Sequence, residues 1–479
     1  MTGAREEPAA VVDREFDRYV GELCDLCRIP SVSAWGAGLD EAAQYVAERM
    51  LRAGIAARVV RGGGPPVVLG ELRGGRAGDD SGAPTLMFYN HYDVQPPDPT
   101  SDWAVDPFGG EVRDGTLIAR GAADNKGGLM SRIQAVEAYV QACGRLPLSV
   151  KFVVEGEEEI GSLHLKATLD AERRALSADG GLWESGHRDK SGRAVVYLGA
   201  KGICYLELAA RGAPSELHSA NAAVAPNPAW RLVWALASLL GPDGRVRAPG
   251  FYDGVRPPGA ADRAALQALP FEAGAMQKQF GLKDEPEGAA FLERLLFEPS
   301  CCICGLESGY VGPGSKTVLP NVARALIDIR LVEGQDPARI EELLRRHLVE
   351  SGFGDIEVSG GDRSAAARTP RDAAIVEATC RAAREVYGQD AVVYPTMAGS
   401  GPLPLFVDDL GIPMASLGAG HAGSAIHAPN ENVRLEDYRL AIFAVQRVMD
   451  HFAACGRPGG SGRPGASGRG GASRGVGVG

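Results

Sequence analysis

No apolar run in the 479 residues approaches the roughly 18–20 that a membrane-crossing helix needs. The first ten residues carry Glu6, Glu7 and Pro8 where a secretory leader would require an apolar core, so a cytoplasmic location is expected. Positive charge is in deficit: 50 basic residues against 61 acidic ones leave a net charge of −11. That balance argues against a protein that coats nucleic acid; neither a nucleic-acid nor a membrane partner is expected. Paired cysteine spacing is also missing. The nine cysteines are odd in number and scattered, which does not make a disulfide framework. Cys24 and Cys27 form a single CxxC with no second pair to complete a zinc ribbon, and Cys301, Cys302 and Cys304 lack partners of ligand type. Both groups read as structural thiols.

Apolar patterning is abundant. Helical spacing covers 11–28, 40–53 and 126–143, and strand patterns cover 66–72, 84–89 and 148–154. Strands alternating with helices predict an α/β unit with a largely parallel, covered sheet. Residues 203–211, 228–240, 301–310, 322–332, 337–351 and 355–359 then read as strand, helix, strand, strand, helix, strand, the ferredoxin-like α+β order. A long insertion, 241–299, interrupts it. From Pro370 the first pattern resumes. The expected organisation is a catalytic unit at 1–200 and 369–455, an inserted domain at 201–368, and a disordered Gly/Ser/Arg tail at 456–479.

The chemistry-bearing residues lie at the ends of apolar strands, where open α/β sheets place ligand sites. His91 and Asp93, in Tyr89-Asn90-His91-Tyr92-Asp93-Val94-Gln95-Pro96, are two apart and face one way in extended chain; one can bind a metal while the other orients it. Asp124, in Arg120-Gly121-Ala122-Ala123-Asp124-Asn125-Lys126-Gly127-Gly128, precedes a helix and is read equally well as an N-cap. Glu155-Gly156-Glu157-Glu158-Glu159-Ile160-Gly161-Ser162 puts four carboxylates directly after a buried strand. Such a cluster is costly without cations, the alternative being a solvated charge run. Leu182-Trp183-Glu184-Ser185-Gly186 and Ser424-Ala425-Ile426-His427-Ala428-Pro429-Asn430-Glu431 add another carboxylate and another imidazole. Together the five segments suit two divalent ions with mixed nitrogen and oxygen ligands, one carboxylate bridging.

These segments resemble the co-catalytic zinc metallopeptidases that include carnosine dipeptidase, cytosolic non-specific dipeptidase, glutamate carboxypeptidase, acetylornithine deacetylase and aminoacylase. The resemblance runs from about Asp13 to about Cys455 and is strongest, through EGEEEIGS and HYDVQPP, to the dipeptidases. It implies that His91, Asp124 and Glu184 hold one ion, that Asp124, Glu159 and His427 hold the other, and that the Asp124–Asn125 peptide is cis. It further implies that Asp93 supports His91 and that Glu158 is the general base. The ions would be zinc, with manganese or cobalt as alternatives. The Asp179–Glu184 spacing is one residue short of the family pattern, which leaves Asp179 as an alternative ligand. In the inserted domain the resemblance makes His218 an oxyanion donor supplied by the partner subunit of a homodimer. Arg330 becomes the clamp for the substrate carboxylate, with Asn321 and the Ser400 loop as further polar contacts to that substrate. His421 is a candidate false ligand; His164, His187, His347 and His451 fit no motif and read as surface residues. The expected activity is hydrolysis of dipeptides with a free carboxylate. The alternatives are an N-acyl-amino-acid deacylase or carboxypeptidase of the same family and, from another class, a zinc-dependent peptide-binding scaffold.

Overall fold

A computed structural model describes residues 6–75 and 83–455; the tail expected at 456–479 lies outside the described residues. The principal sheet runs Ala56–Val60, Val67–Leu72, Ser149–Glu155, Thr85–His91, Gly180–Trp183, Met414–Ser416 in spatial order. Its last three junctions are parallel and its first two antiparallel. Period-two alternation separates its faces. Leu86 and Phe88 pack with the helices Pro8–Cys27, Leu39–Arg52, Gly127–Cys143, Ala374–Tyr387 and Leu435–Cys455. Met87 and Tyr89 pack on the opposite side with Leu165, Leu169, Trp183 and Phe406. Apolar strand residues buried on both sides, each worth roughly 1.5–3 kcal/mol, hold the central strand too firmly to slip by one residue. Cys24 and Cys27 are buried on the inner face of the first helix.

Between 202 and 364 a second sheet forms, wholly antiparallel, in the order Ser300–Ser308, Val322–Leu331, Gly202–Arg211, Glu357–Ser364. The helices Pro228–Leu239 and Pro337–Glu350 close one face over Leu206, Leu208, Ala325, Ile327 and Ile329. The 241–299 insertion folds into the helices Ala260–Ala268, Ala273–Phe280 and Gly288–Phe297. Val246, Ala248 and Phe251, ahead of these helices, join that core, but the apolar residues of the helices do not. Leu266, Leu269, Leu292, Leu296 and Phe297 pack on Val195 and Val392, two adjacent parallel strands of the other unit. Lys201 Nζ donates to the Glu298 carbonyl at 2.6 Å, and Arg368 pairs with Asp262, tying the insertion down at two further points.

Arg132, fully buried in the Gly127–Cys143 helix, knots the carboxyl ends of the central strands. Its guanidinium donates to the carbonyls of Tyr89 (2.6 Å), Leu182 (3.1 Å), Trp183 and Leu417 (3.2 Å), and to Asn90 Oδ1 (2.8 Å). No water can reach these carbonyls if the guanidinium is lost, and each unpaired buried acceptor costs about 1–3 kcal/mol. Arg132→Met should therefore lower stability by at least about 3 kcal/mol and visibly depress Tm in calorimetry; an unchanged Tm would refute the knot.

Candidate metal centre

The strand ends set out the site. Thr85–His91 and Ser149–Glu155 run parallel with His91 opposite Glu155, so the HYD and EGEEE segments leave the sheet side by side. Gly180–Trp183 delivers Glu184 from the next strand. Asp124 sits on the turn that leads into the Gly127–Cys143 helix, and the Asp124–Asn125 peptide is cis. His427 comes from a loop in which Ala425, His427 and Asn430 all take positive φ.

Asp124 faces both imidazoles. Its Oδ1 lies 3.1 Å from His91 Nε2 and its Oδ2 lies 3.2 Å from His427 Nε2. Glu184 Oε2 stands 3.6 Å from His91 Nε2, and Glu159 Oε2 stands 3.1 Å from His427 Nε2. Two donor triangles thus share one carboxylate, each using a different oxygen. Ligand bonds of 2.0–2.1 Å in tetrahedral array put neighbouring donors about 3.3 Å apart, so the imidazole–carboxylate spacings suit shared divalent ions; donor atoms of His91, Asp124 and Glu159 also lie within 4.8 Å of one another. The chemistry of the donors fits as well. Glu184 Oε2 is buried without a hydrogen-bond partner. Burial pushes the Glu184 carboxyl up to about 8, and burial with the adjacent Glu184 charge lifts Glu158 well above the carboxylate range. Hydrogen bonds to Asp124 and Glu159 raise His427 to about 10. Burial opposes the ionised form of Asp124, but the His427 and His91 imidazoles overcome it and hold the group well below its ordinary value. The acid cluster around the two imidazoles thus demands positive charge at this place.

Asp93 is fully buried and lies behind the ligands, its Oδ1 3.3 Å from His91 Nδ1. The same carboxylate accepts the backbone N–H groups of Glu158 and Glu159, at 3.2 and 3.1 Å. Glu158 lines a cavity of about 630 Å³ together with Asp124, Glu184, Ser400 and His427. A Cβ on Gly401 would stand 3.3 Å from Glu158 Oε1, so this glycine lets the loop approach the carboxylate. Asp179 is remote: its carboxylate accepts the Thr85 N–H at the amino end of the same strand whose carboxyl end carries His91. Glu157 turns away to His164 Nδ1 at 2.9 Å. His421 bonds Asn432 Oδ1 rather than joining either triangle. His187 corrects the surface reading, because it lines the same cavity as Glu184.

Three expected contributors stand elsewhere. Arg330 is paired with Asp328 Oδ2 at 2.7 Å and donates to Ser400 Oγ at 2.8 Å, which carries the second sheet to the edge of the cavity. His218 is exposed, and its Nδ1 accepts the N–H of Ala220 in its own turn. Asn321 immediately precedes the ten-residue Val322–Leu331 strand, beside the Leu217–His218 pairing with Val318–Leu319. At about 3.4 Å per residue it lies roughly 30 Å from Arg330. One dipeptide therefore cannot touch Asn321 and Arg330 of the same chain.

Five positioning residues carried no signal of their own in the sequence. Glu431, fully buried, accepts the N–H groups of Gly121 (3.0 Å), Ala123 (3.0 Å) and Asp124 (2.9 Å) and pairs with Arg120 at 2.7 Å. It therefore fixes the Asp124 turn from the His427 loop. Gln95 donates to Glu159 Oε2 at 3.0 Å. Asn125 donates to the Glu184 carbonyl at 3.0 Å and accepts from Asn90, which Arg132 in turn holds. Each stood within a quoted motif or helix, but its partners became visible only with the fold.

Residues 87–451 match the sequence profile of peptidase family M20/M25/M40. The chain belongs to that family. It is 30% identical to β-Ala-His dipeptidase of Rattus norvegicus over 299 residues, 59% of this chain and 58% of that protein; the match thus spans less than three fifths of that relative. It is 27% identical to Cys-Gly metallodipeptidase dug1 of Schizosaccharomyces pombe over 71% of this chain and 74% of the relative. The crystal structure of the M20 family metallo-carboxypeptidase Sso-CP2 of Sulfolobus solfataricus superposes with a TM-score of 0.87 at 37% identity, covering 91% of this chain and 99% of that one. The family membership expected from the five motifs and the α/β fold expected from the alternating strand and helix patterns are borne out. Among the described residues no helix is long and apolar enough to cross a membrane.

Because Glu431 holds the turn that presents the shared ligand, Glu431→Ala should weaken metal binding about 10–100-fold, the usual cost of losing a group that orients a ligand. Competition with a chromophoric chelator measures this, and unchanged affinity would show that the turn holds its shape without Glu431.

Proposed function

We propose that this M20 protein is a metal-dependent dipeptidase that hydrolyses the amide bond of dipeptides bearing a free carboxylate. The observation that carries the proposal is the sharing of Asp124, one oxygen to each imidazole, with a second carboxylate completing each triangle. His91, Asp124 and Glu184 would hold one divalent ion, and Asp124, Glu159 and His427 the other; zinc is the ion proposed, with manganese or cobalt as alternatives. When bound, such ions polarise an amide carbonyl and acidify water. The remaining work falls to the chain. Glu158, which lines the cavity beside Asp124 and Glu184, accepts a proton from the attacking water and returns it to the departing amine. Asp93 fixes His91 and the backbone of Glu158 at once. Arg330, steadied by Asp328 and Ser400, grips the substrate carboxylate in the bidentate manner suited to guanidinium.

Residues 1–200 and 369–455 would form the catalytic body, and 201–368 a dimerisation and lid domain. Trp230 and Trp234 stack at 5.9 Å on the outer side of their helix, more than half exposed. Ile303 and Leu306 are equally exposed on the Ser300–Ser308 edge strand. An uncovered edge with exposed apolar side chains favours a second copy. In a homodimer Asn321, roughly 30 Å from Arg330 of its own chain, and the exposed His218 would serve the partner's site, His218 as oxyanion donor.

A carboxypeptidase reading is favoured by the 37% identity to a protein described as a metallo-carboxypeptidase; an N-acyl-amino-acid deacylase would use the same chemistry. Cleavage of tripeptides or N-acetyl amino acids in preference to dipeptides would reverse the choice.

Glu158→Gln should retain two ions per chain by elemental analysis and lose at least a hundredfold in kcat, the lower range of general-base effects being about 10²-fold. Near-normal turnover would overturn the base. His218→Ala mixed with Glu158→Gln should regain activity that neither has alone, because a hybrid dimer contains one intact site. Absence of recovery, with subunit exchange demonstrated by mass, would overturn the shared site.

A further inference from the structure

The metal residues occupy only one end of the cavity of about 630 Å³. The other end is built by the 241–299 insertion, which packs on Val195 and Val392 and thereby stands over the metal side of the molecule. Its wall is mostly apolar, including Phe271, Met276, Phe280, Phe291 and Leu295, with Gln279 the polar side chain among them. The rings of Phe271 and Phe280 each lie 5.6 Å from that of Phe291, so the three form one continuous apolar surface. Ile426, beside the ligand His427, faces the same space. Phe280 and Ile426 are 48% and 49% exposed, a large apolar area left open inside a cavity rather than buried. Among the described residues, the carboxylates that line this cavity, Asp124, Glu158 and Glu184, are all at the metal end, and no lysine or arginine lines it. The insertion end therefore offers a substrate neither a counter-charge for a charged side chain nor a carboxylate for a second ammonium.

We infer that the insertion supplies a specificity wall, and that the preferred substrates are dipeptides carrying a bulky apolar side chain that packs against Phe271, Phe280, Phe291 and Ile426. The inference rests on the dipeptidase reading and narrows it. Removing such a side chain from water favours binding by at least tenfold over glycine, the low end of what burial of about a phenyl or leucyl group provides.

The zinc-loaded full chain should be assayed for kcat/KM on Phe-Gly, Gly-Phe, Gly-Gly and Lys-Gly. At least one of the two phenylalanyl peptides should exceed Gly-Gly and Lys-Gly by about tenfold or more. Phe280→Ser, at an exposed position where folding is not at stake, should bring that ratio towards one, and Met276→Ser should act in the same direction. Titration calorimetry on Glu158→Gln protein gives a readout without turnover. Binding of the preferred phenylalanyl peptide should show a more negative heat-capacity change than binding of Gly-Gly, and the difference should shrink in Phe280→Ser,Glu158→Gln. Equal cleavage of Gly-Gly and the phenylalanyl peptides, or a ratio unmoved by Phe280→Ser, would leave the hydrolase reading intact and overturn the wall. A loaded enzyme that cleaves none of the peptides would overturn both.

Discussion

The structure depends on an electrostatic constraint: carboxylates gathered where water is largely excluded. Asp93, Asp124, Glu158, Glu159 and Glu184 meet around two imidazoles at the carboxyl ends of adjacent strands. Like charges this close repel strongly in a medium of reduced dielectric, and burial disfavours each ionised group separately. The arrangement persists only where cations or protons compensate and where the backbone cannot relax away. The surrounding groups supply the second condition. Glu431 pins the Asp124 turn through three N–H groups, Asp93 pins the Glu158–Glu159 turn through two, and Arg132 fastens the strand ends together. A site of this kind is a rigid frame bearing charge that the frame does not itself neutralise.

That frame divides the labour along the sheet. The sides of the central strand are invested in packing, with Leu86 and Phe88 towards one helical layer and Met87 and Tyr89 towards the other. Only the residues just beyond the strand ends are released from packing and free to carry ligands. His91 marks the transition: it is the last residue of its strand, paired in register with Glu155, and nearly fully buried. His427, by contrast, has a side chain 52% exposed. One imidazole is thus built into the protein while the other looks into the cavity, which gives the paired site an inner and an outer side.

The parts legible in the sequence were those encoded locally. Doubly apolar runs ending in His91 and Glu155 announced buried strands with polar tips, and the periodic helices followed from spacing alone. The EGEEE run was legible because four acids after such a strand violate ordinary burial. What stayed hidden was every partnership across distance. Glu431 lies more than 300 residues from the backbone it holds, and its motif position gives no hint of that. Arg132 read as one polar residue in a helix, since its five acceptors belong to loops and strands that only the fold assembles. The 241–299 insertion was legible only as an interruption, and a sequence does not say which neighbour its apolar residues will meet; those of its helices meet Val195 and Val392 rather than the adjacent antiparallel core. The separation of Asn321 from Arg330, by contrast, follows from the strand that the sequence pattern already assigns to 322–332.

The pairing of Arg330 shows how a proposed carboxylate clamp can be ready without being spent. A cation flanked by Ile329 and Leu331 would, alone, pay heavily for desolvation, and Asp328 on the same face offsets that cost. Asp328 engages Nη2 and Ser400 engages Nη1, one contact each. A guanidinium carries five N–H donors in a fixed plane, so three remain for a planar carboxylate. Two of those belong to the same nitrogens that Asp328 and Ser400 already orient, and the existing bonds set the plane in which a substrate must approach. Ser400 also accepts nothing that competes with the substrate through this arrangement: its hydroxyl donates to the Gly202 carbonyl at 3.0 Å while its oxygen receives Arg330. The clamp is therefore fastened at once to the second sheet through Asp328 and to the cavity loop through Ser400. Any movement of the sheet relative to the cavity loop would strain one of these two bonds. In the proposed clamp, recognition of a carboxylate and the relative placement of the two units would be one mechanical variable.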